Sequence, residues 1–278
     1  MLDFTDNVVL VTGGTKGIGL GIVAGFAGAG ATVVTCARTP PDDADPVFTG
    51  VEFLPVDLRD PSEIDRLVTT IVQRRGRLDV LVNNAGGSPP ADSATASPRF
   101  SEAIVKLNLL APLWLAQAAN AVMQAQGSGG VIINIASVSG LRPSPNTVAY
   151  GAAKAGLLNL TETLAVEWAP KVRVNAVTPG YIRTEQAPLF YGDEDGIARV
   201  AATVPLGRLG LPTDIAGACL YLASPLASYV SGANIVVHGG GEAPRYLSAS
   251  PPASASAAAS ASASAAAVQA PKCEGNEA

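Results

Sequence analysis

The chain contains 278 residues, of which 48% are hydrophobic and 15% are charged, and this allows one sizeable α/β core. The net charge of -5 argues against a nucleic-acid partner, because phosphate backbones require clustered lysine and arginine. The opening sequence MLDFTDNVVLVTGG has early acidic residues and a short apolar run, so it predicts no signal peptide, no membrane span and a cytoplasmic location.

Cysteine and histidine usage predicts reduced thiols and no metal site. The three cysteines are far apart in the sequence and form no CxxC or Cys/His spacing with the single histidine. These residues are Cys36, Cys219, Cys273 and His238.

Short β-branched runs recur along the chain, separated by longer segments with helical character. Most runs are apolar throughout, which is typical of strands buried on both faces of a parallel sheet. The predicted fold is therefore α/β, a single doubly wound, Rossmann-like domain with a seven-stranded parallel sheet and helices on both faces. Its ligand should bind beyond the carboxyl ends of the strands. The runs are Val8–Thr12, Ala31–Ala37, Val51–Val56, Asp79–Asn83, Gly130–Ser137, Val172–Val177 and Ala233–His238.

A glycine-rich loop, VTGGTKGIG, follows the first predicted strand and opens the first helix. Gly13 permits a tight turn, Gly17 permits close approach of the backbone to a pyrophosphate, and Gly19 permits close packing of the helix. The helix N-terminus adds free N–H donors and partial positive charge. This context predicts nucleotide binding.

The end of the second strand indicates which nucleotide binds. An NAD site usually has an acidic residue there, but this strand ends Thr-Cys-Ala and is followed by Arg38. Arg38 and Lys16 can both face a 2′-phosphate, which favours NADP(H). Asp42 and Asp43 lie close enough in sequence to keep NAD(H) possible.

Residues 60–75 carry the signals of a capped helix. Asp60 is the predicted cap, Pro61 suits the first position, and Glu63 completes a predicted capping box. Gly76 stands where a helix C-terminus is expected.

The composition changes after Gly241, where alanine and serine dominate without apolar periodicity. We therefore predict a folded domain over residues 1–248 and a disordered tail over residues 249–278.

Four motifs in order along the chain resemble the short-chain dehydrogenase/reductase family. They are the glycine pattern TGxxxGxG, NNAG at Asn83–Gly86, YxxxK at Tyr150–Lys154, and PG at Pro179–Gly180, and the likeness covers about residues 2–240. The resemblance implies a hydride-transferring oxidoreductase that uses a nicotinamide dinucleotide and a small carbonyl or alcohol substrate.

The resemblance also implies a catalytic set. Tyr150 would exchange the proton with Lys154 beside it, Ser137 would polarise the substrate oxygen, and Asn108 would hold a water in a proton relay. A free tyrosine has a pKa of about 10, so efficient proton exchange near neutral pH requires a lower value. Lys154 lies one helical turn from Tyr150 and can stabilise its phenolate.

Further cofactor contacts follow from the same resemblance. Asp57 would meet the adenine ring, and Ile182 and Thr184 would contact the nicotinamide amide. The cofactor-binding set implied in full is Gly13, Thr15, Lys16, Gly17, Ile18, Gly19, Arg38, Asp57, Leu58, Asn84, Ala85, Gly86, Tyr150, Lys154, Pro179, Gly180, Ile182 and Thr184.

The segment after Thr184 is long and is expected to be an irregular lid over the site. Leu189, Phe190 and Tyr191 offer apolar contact, and residues 86–90 form a candidate opposite wall. These features favour an apolar substrate such as a 3-oxoacyl thioester, a ring ketone or a steroid-like alcohol.

Three alternatives stay open. They are an NAD-dependent dehydrogenase, a sibling chemistry such as enoyl reduction, epimerisation or dehydration, and a non-catalytic nucleotide-binding scaffold. Bacterial enoyl reductases of the family space the tyrosine and lysine more widely than Tyr150 and Lys154.

The family also pairs helices corresponding to residues 100–126 and 150–169 between subunits, which implies a homotetramer or homodimer. His238 stands where the family usually has aspartate, and the sequence suggests no function for it.

Overall fold

The computed structural model describes residues 2–42 and 44–242. The predicted tail, residues 249–278, lies outside the described residues, as do Asp43 and Cys273. Within the described part of the chain, no helix is long and apolar enough to cross a membrane. The same part contains no group of histidine, cysteine and acidic side chains arranged to hold a metal ion.

The described residues form a seven-stranded sheet in which every neighbouring pair is parallel. The strand order is β3-β2-β1-β4-β5-β6-β7, so the order reverses between β1 and β4. This confirms the predicted doubly wound fold and places the ligand crevice at the carboxyl ends of β1 and β4. The strands are β1 (Val8–Thr12), β2 (Thr32–Ala37), β3 (Glu52–Pro55), β4 (Val80–Asn83), β5 (Gly130–Ile135), β6 (Val172–Pro179) and β7 (Asn234–Val237).

Helices cover both faces of the sheet, and the alternation of side chains along β1 shows how each face is filled. Leu10 packs with Leu115 on one face, whereas Val9 and Val11 pack with Ile22 on the other. The helices are α1 (Gly17–Gly28), α2 (Pro61–Arg75), α3 (Pro98–Val105), α4 (Ala111–Ala125), α5 (Val148–Glu167), α6 (Ala187–Tyr191), α7 (Glu194–Ala201) and α8 (Pro212–Ala223).

Helix α2 begins and ends where the sequence predicts, but its capping box does not form. The Asp60 carboxylate accepts from the Ser62 amide at 2.9 Å, and Gly76 ends the helix in the left-handed region at φ 75°. Glu63 does not reach back to the Asp60 amide, because its Oε2 accepts instead from the Asp57 amide at 2.7 Å. The side chain that was expected to cap the helix therefore binds the turn after β3.

The segment after Thr184 contains more regular structure than the predicted irregular lid. Its residues form the short helices α6 and α7, which pack around a small cluster of Ala187, Ile197 and Leu209. Tyr191 joins this cluster and meets Tyr181 edge-on, with ring centroids 5.8 Å apart. Local burial of apolar side chains thus orders the segment.

Candidate active site

The loop between β1 and α1 is shaped by its glycines. Gly13 and Gly17 have φ values of 64° and 57°, which side chains rarely tolerate. A Cβ atom at Gly19 would lie 2.2 Å from the Gly13 carbonyl oxygen, so only glycine fits there. Helix α1 begins at Gly17 and directs its N-terminal amides toward the crevice, which suits a pyrophosphate group.

Thr12 joins this loop to the loop after β4. Its Oγ1 accepts from the amides of Asn84 and Ala85, each at 2.9 Å, and the Asn84 side chain donates to the Thr12 carbonyl at 2.8 Å. Sequence reasoning missed Thr12, although a hydroxyl residue at the end of a buried strand was a signal that could have identified it. The two loops therefore form one rigid wall of the crevice.

A cleft of about 630 Å³ extends along the carboxyl ends of the strands. It brings together all but two of the predicted site residues. Those that line it are Gly13, Thr15, Lys16, Gly17, Ile18, Gly19, Arg38, Asp57, Leu58, Asn84, Ala85, Gly86, Ser137, Tyr150, Lys154, Pro179, Gly180 and Thr184.

The two predicted residues that do not line the cleft are Asn108 and Ile182. The Ile182 side chain is buried and packs in the core, where its Cδ1 lies against Gly210. Its neighbour Arg183 donates its amide to the Gly210 carbonyl at 2.8 Å. The Ile182 side chain is therefore not placed for the ligand contact that the resemblance implies.

Asn108 is fully buried in a wide π turn, Lys106–Leu110, between α3 and α4. Its Nδ2 donates to the carbonyls of Gly87 at 3.0 Å and Ile104 at 2.9 Å, and its Oδ1 accepts from the Gly87 amide at 2.8 Å. A Cβ atom on Gly86 would lie 2.5 Å from Asn108 Oδ1 and 3.4 Å from Lys154 Nζ. Asn108 thus lies behind the cleft wall, close to Lys154.

Ser137, Tyr150 and Lys154 converge at one end of the cleft. Ser137 caps a short turn after β5, with its Oγ accepting from the Ser139 amide at 3.2 Å, and it also hydrogen-bonds the Tyr150 side chain. Tyr150 lies in the first turn of α5, and Lys154 follows one turn later. The Lys154 Nζ atom lies 5.6 Å from the centroid of the Tyr150 ring and donates to the Ile135 carbonyl at 2.7 Å.

Burial sets the proton affinities of this pair. Burial raises the pKa of Tyr150, and the hydrogen bond with Ser137 offsets only part of that effect. Burial lowers the pKa of Lys154 to about 8. The pKa of Tyr150 therefore shifts upward, opposite to the lowering that the sequence predicts, because burial outweighs the hydrogen bond with Ser137.

The opposite end of the cleft contains an ion pair that sequence reasoning missed. The Arg59 guanidinium hydrogen-bonds Asp57 with Nη2 to Oδ2 at 2.5 Å, and this lowers the pKa of the Asp57 carboxyl to about 2. Both side chains line the cleft together with Arg38. The sequence signal for this ion pair was the spacing of two residues between the acid Asp57 and the arginine Arg59.

The structure gives His238 a packing role. A Cβ atom at Gly180 would lie 2.6 Å from the His238 Cβ, so Gly180 allows β6 and β7 to end side by side. The Gly180 amide donates to the Val237 carbonyl at 2.9 Å, which fixes this approach. The cleft wall at Pro179–Gly180 therefore packs directly against His238.

Comparison with known proteins identifies the family. A family model described as enoyl-(acyl carrier protein) reductase matches residues 13–242. The chain is 36% identical over 239 residues to 2-dehydro-3-deoxy-D-gluconate 5-dehydrogenase of Escherichia coli K12, covering 84% of this chain and 94% of the relative. The chain belongs to the short-chain dehydrogenase/reductase family. It is therefore an NAD(P)-dependent oxidoreductase that transfers hydride, as its resemblance implied.

Other members of the short-chain dehydrogenase/reductase family also match this chain over most of its length. The 3alpha-hydroxysteroid dehydrogenase of Mediterraneibacter gnavus is 36% identical, with 84% of this chain and 96% of the relative covered. The ligand-free structure of aldohexose dehydrogenase from Thermoplasma acidophilum matches with a TM-score of 0.79 and 30% identity, covering 90% of this chain and 98% of that one. Sugar, sugar-acid and steroid names thus all occur among similar proteins.

The shifted Lys154 pKa predicts how stability depends on pH. Its usual pKa of 10.5 falls to about 8 on folding, so between these values the unfolded chain binds a proton that the folded chain does not. The free energy of unfolding therefore rises with pH in this window. Relative to Lys154→Met, the wild type should gain about 2 kcal/mol between pH 7 and pH 9.5. Urea unfolding at both pH values measures this gain, and a difference that is independent of pH would contradict it.

Proposed function

We propose that the protein interconverts a ketone and a secondary alcohol using NADP(H). The observation that carries this proposal is the convergence of Ser137, Tyr150 and Lys154 at one end of a cleft whose wall continues to the glycine loop. A substrate oxygen placed beside Ser137 and Tyr150 would meet two hydroxyl groups, which suits proton transfer to an alkoxide.

The catalytic side chains then have distinct tasks. Bound NADP(H) supplies or accepts the hydride. Tyr150 gives a proton to the substrate oxygen or takes one from it, while Ser137 donates a hydrogen bond to that oxygen. Lys154, buried behind Tyr150, is positioned to favour the phenolate and to bind the cofactor ribose. Asn108, close to Lys154 across Gly86, fits the inner end of a proton relay.

Charges at the other end of the cleft support NADP(H) over NAD(H). Arg38 follows β2 directly, and both Arg38 and Lys16 are exposed in the cleft. An arginine at this position offers a planar fork for a 2′-phosphate. Asp42 also lines the cleft, so NAD(H) is the alternative that requires a direct test.

Arg38→Asp should shift the nucleotide preference from NADP(H) toward NAD(H) by at least about tenfold. The substitution removes the proposed 2′-phosphate contact and adds an acid that can accept from a ribose 2′-hydroxyl. The measured quantity is the ratio of dissociation constants for NADH and NADPH. Arg99→Asp, at an exposed position of α3 outside the cleft lining, is the control. An unchanged ratio in Arg38→Asp would exclude the 2′-phosphate role.

An apolar substrate is the class that we propose. Leu189 and Phe190 are 80% and 57% exposed on α6, shortly after the cleft-lining residues 184–186. Tyr191 does not contribute, since it packs against Tyr181. The name of one similar protein adds sugar acids to the candidate substrates, and the name of another agrees with the steroid-like alcohols already among them.

A panel of carbonyl compounds and alcohols, assayed with NADPH and NADH in both directions, tests the proposed reaction. It should include 3-oxoacyl thioesters, ring ketones, hydroxysteroids, sugar acids and 2-enoyl thioesters. Turnover of a ketone–alcohol pair with NADP(H) is expected. Reduction of the enoyl compounds alone would favour the sibling chemistry named in the family description.

A homo-oligomer is proposed as well. Val148 and Val166 on α5 are 58% and 81% exposed, which leaves apolar surface on one of the helices expected to pair between subunits. Light scattering of the purified protein would measure the number of subunits, and a dimer or a tetramer is expected.

A further inference from the structure

Two arginines lie where β2 and β3 leave the sheet. Ala37 and Pro55 are register partners, and the Val56 amide donates to the Ala37 carbonyl at 3.1 Å, so the two strand ends run side by side. Arg38 follows the first of these ends directly, and Arg59 lies in the turn after the second. Both side chains line the cleft, together with Asp57.

Arg59 is fixed on Asp57 by several hydrogen bonds. Its Nε lies 2.9 Å from Oδ1, its Nη2 lies 2.5 Å from Oδ2, and its backbone amide donates to Oδ1 at 3.0 Å. The Asp57 amide in turn donates to Glu63 on α2 at 2.7 Å. The side chains are 39% and 34% exposed, so a bound nucleotide would meet this pair at the cleft surface.

The pair matters because of the charge that Asp57 carries. The carboxylate is ionised at neutral pH with or without Arg59, because its ordinary pKa is 3.8 and hydrogen bonding to Arg59 lowers that pKa to about 2. The positive charge of Arg38 also acts on it. Without Arg59, this carboxylate would attract Arg38 and repel a phosphate placed nearby. With Arg59, the charges of Asp57 and Arg59 cancel, and the positive charge of Arg38 is left to attract a ligand phosphate.

We propose that Arg59 is a positioning residue for nucleotide selection, which neutralises Asp57 and thereby makes Arg38 available to the 2′-phosphate of NADP(H). This inference rests on the proposed function, because it concerns the same nucleotide site. It explains how a cleft with an acid at the end of β3 accepts an additional phosphate group.

The test measures the ratio of the dissociation constants of NADH and NADPH by fluorescence titration. Arg59→Gln should lower this ratio about tenfold, whereas Arg59→Lys, which keeps the charge, should stay within about threefold of the wild type. Arg208→Gln is the matched control, because Arg208 forms a similar two-pronged pair with Asp214 outside the cleft lining. Its ratio should equal that of the wild type.

Two further variants separate neutralisation from a structural role. Asp57→Asn combined with Arg59→Gln removes both charges and should restore the ratio toward the wild-type value. Asp57→Asn alone should raise the ratio, and it provides the test if Arg59→Gln does not fold. A structural role for Arg59 would give no such restoration.

The outcomes also distinguish this inference from the proposed function. Wild-type protein that binds neither nucleotide, or turns over no ketone–alcohol pair, would contradict the proposed function. An unchanged ratio in Arg59→Gln, in protein that binds NADPH, would overturn the role of Arg59 alone.

Discussion

Substituting phenylalanine for Tyr150 should lower turnover by about 10²–10⁴-fold, which is the usual contribution of a positioned general acid or base. The substitution removes the only atom of this side chain that can exchange a proton, and it leaves the ring that packs near Lys154. The dissociation constant of NADP(H) should change by no more than about threefold. Such a loss in turnover with cofactor binding intact is the pattern of an interaction made in the transition state.

Steady-state kinetics and nucleotide titration of the same preparation measure the two quantities. Tyr229→Phe is the matched control, because Tyr229 is fully exposed and lies outside the cleft lining. It should retain the turnover of the wild type. Comparable turnover in Tyr150→Phe would exclude Tyr150 as the proton donor.

Two glycines in one helix should respond in opposite directions to the same substitution. In Gly19→Ala, the new methyl group would lie 2.2 Å from the Gly13 carbonyl oxygen and 2.5 Å from the Asn84 side-chain nitrogen. Relief requires movement of the phosphate-binding loop, at a cost of about 1–3 kcal/mol in the free energy of unfolding. Affinity for the dinucleotide should fall by at least about tenfold, since its pyrophosphate would meet a displaced loop.

Gly28→Ala places the same methyl group near the other end of α1, where no heavy atom lies within 4 Å of it. Alanine also restricts the unfolded chain, so this variant should gain about 0.4–1 kcal/mol and bind the cofactor normally. Urea unfolding and NADPH titration of both variants provide the comparison. Equal changes in stability would show that close packing at Gly19 is not the reason for glycine there.

The sequence predicted the fold well because its signals are local. Short, mostly apolar runs identified all seven strands, and Gly76 marked the end of α2 by its left-handed backbone conformation. The capping box failed because Glu63 found a partner in Asp57, six residues earlier in the chain, where spacing rules within a helix do not apply.

The sequence predicted the positions of the site residues better than their pKa values, because pKa values depend on contacts that are distant in sequence. Motifs gave the positions of Ser137, Tyr150 and Lys154, and the structure places them together. Their proton affinities depend on burial by strands and loops far away in sequence, and the tyrosine pKa consequently shifts opposite to expectation. Contacts such as Thr12 with Asn84 join residues 72 positions apart, which no motif in one segment reveals.

The strand order also affects the tendency of this sheet to aggregate in a concentrated solution. Its two edges are β3 and β7, each only four residues long, and β3 ends in Pro55, which has no amide proton to offer a neighbouring chain. A short edge strand that ends in proline is a poor template for pairing with another sheet. The apolar strands in the centre of the sheet are therefore shielded, on the β3 side, by an edge that resists pairing with another chain.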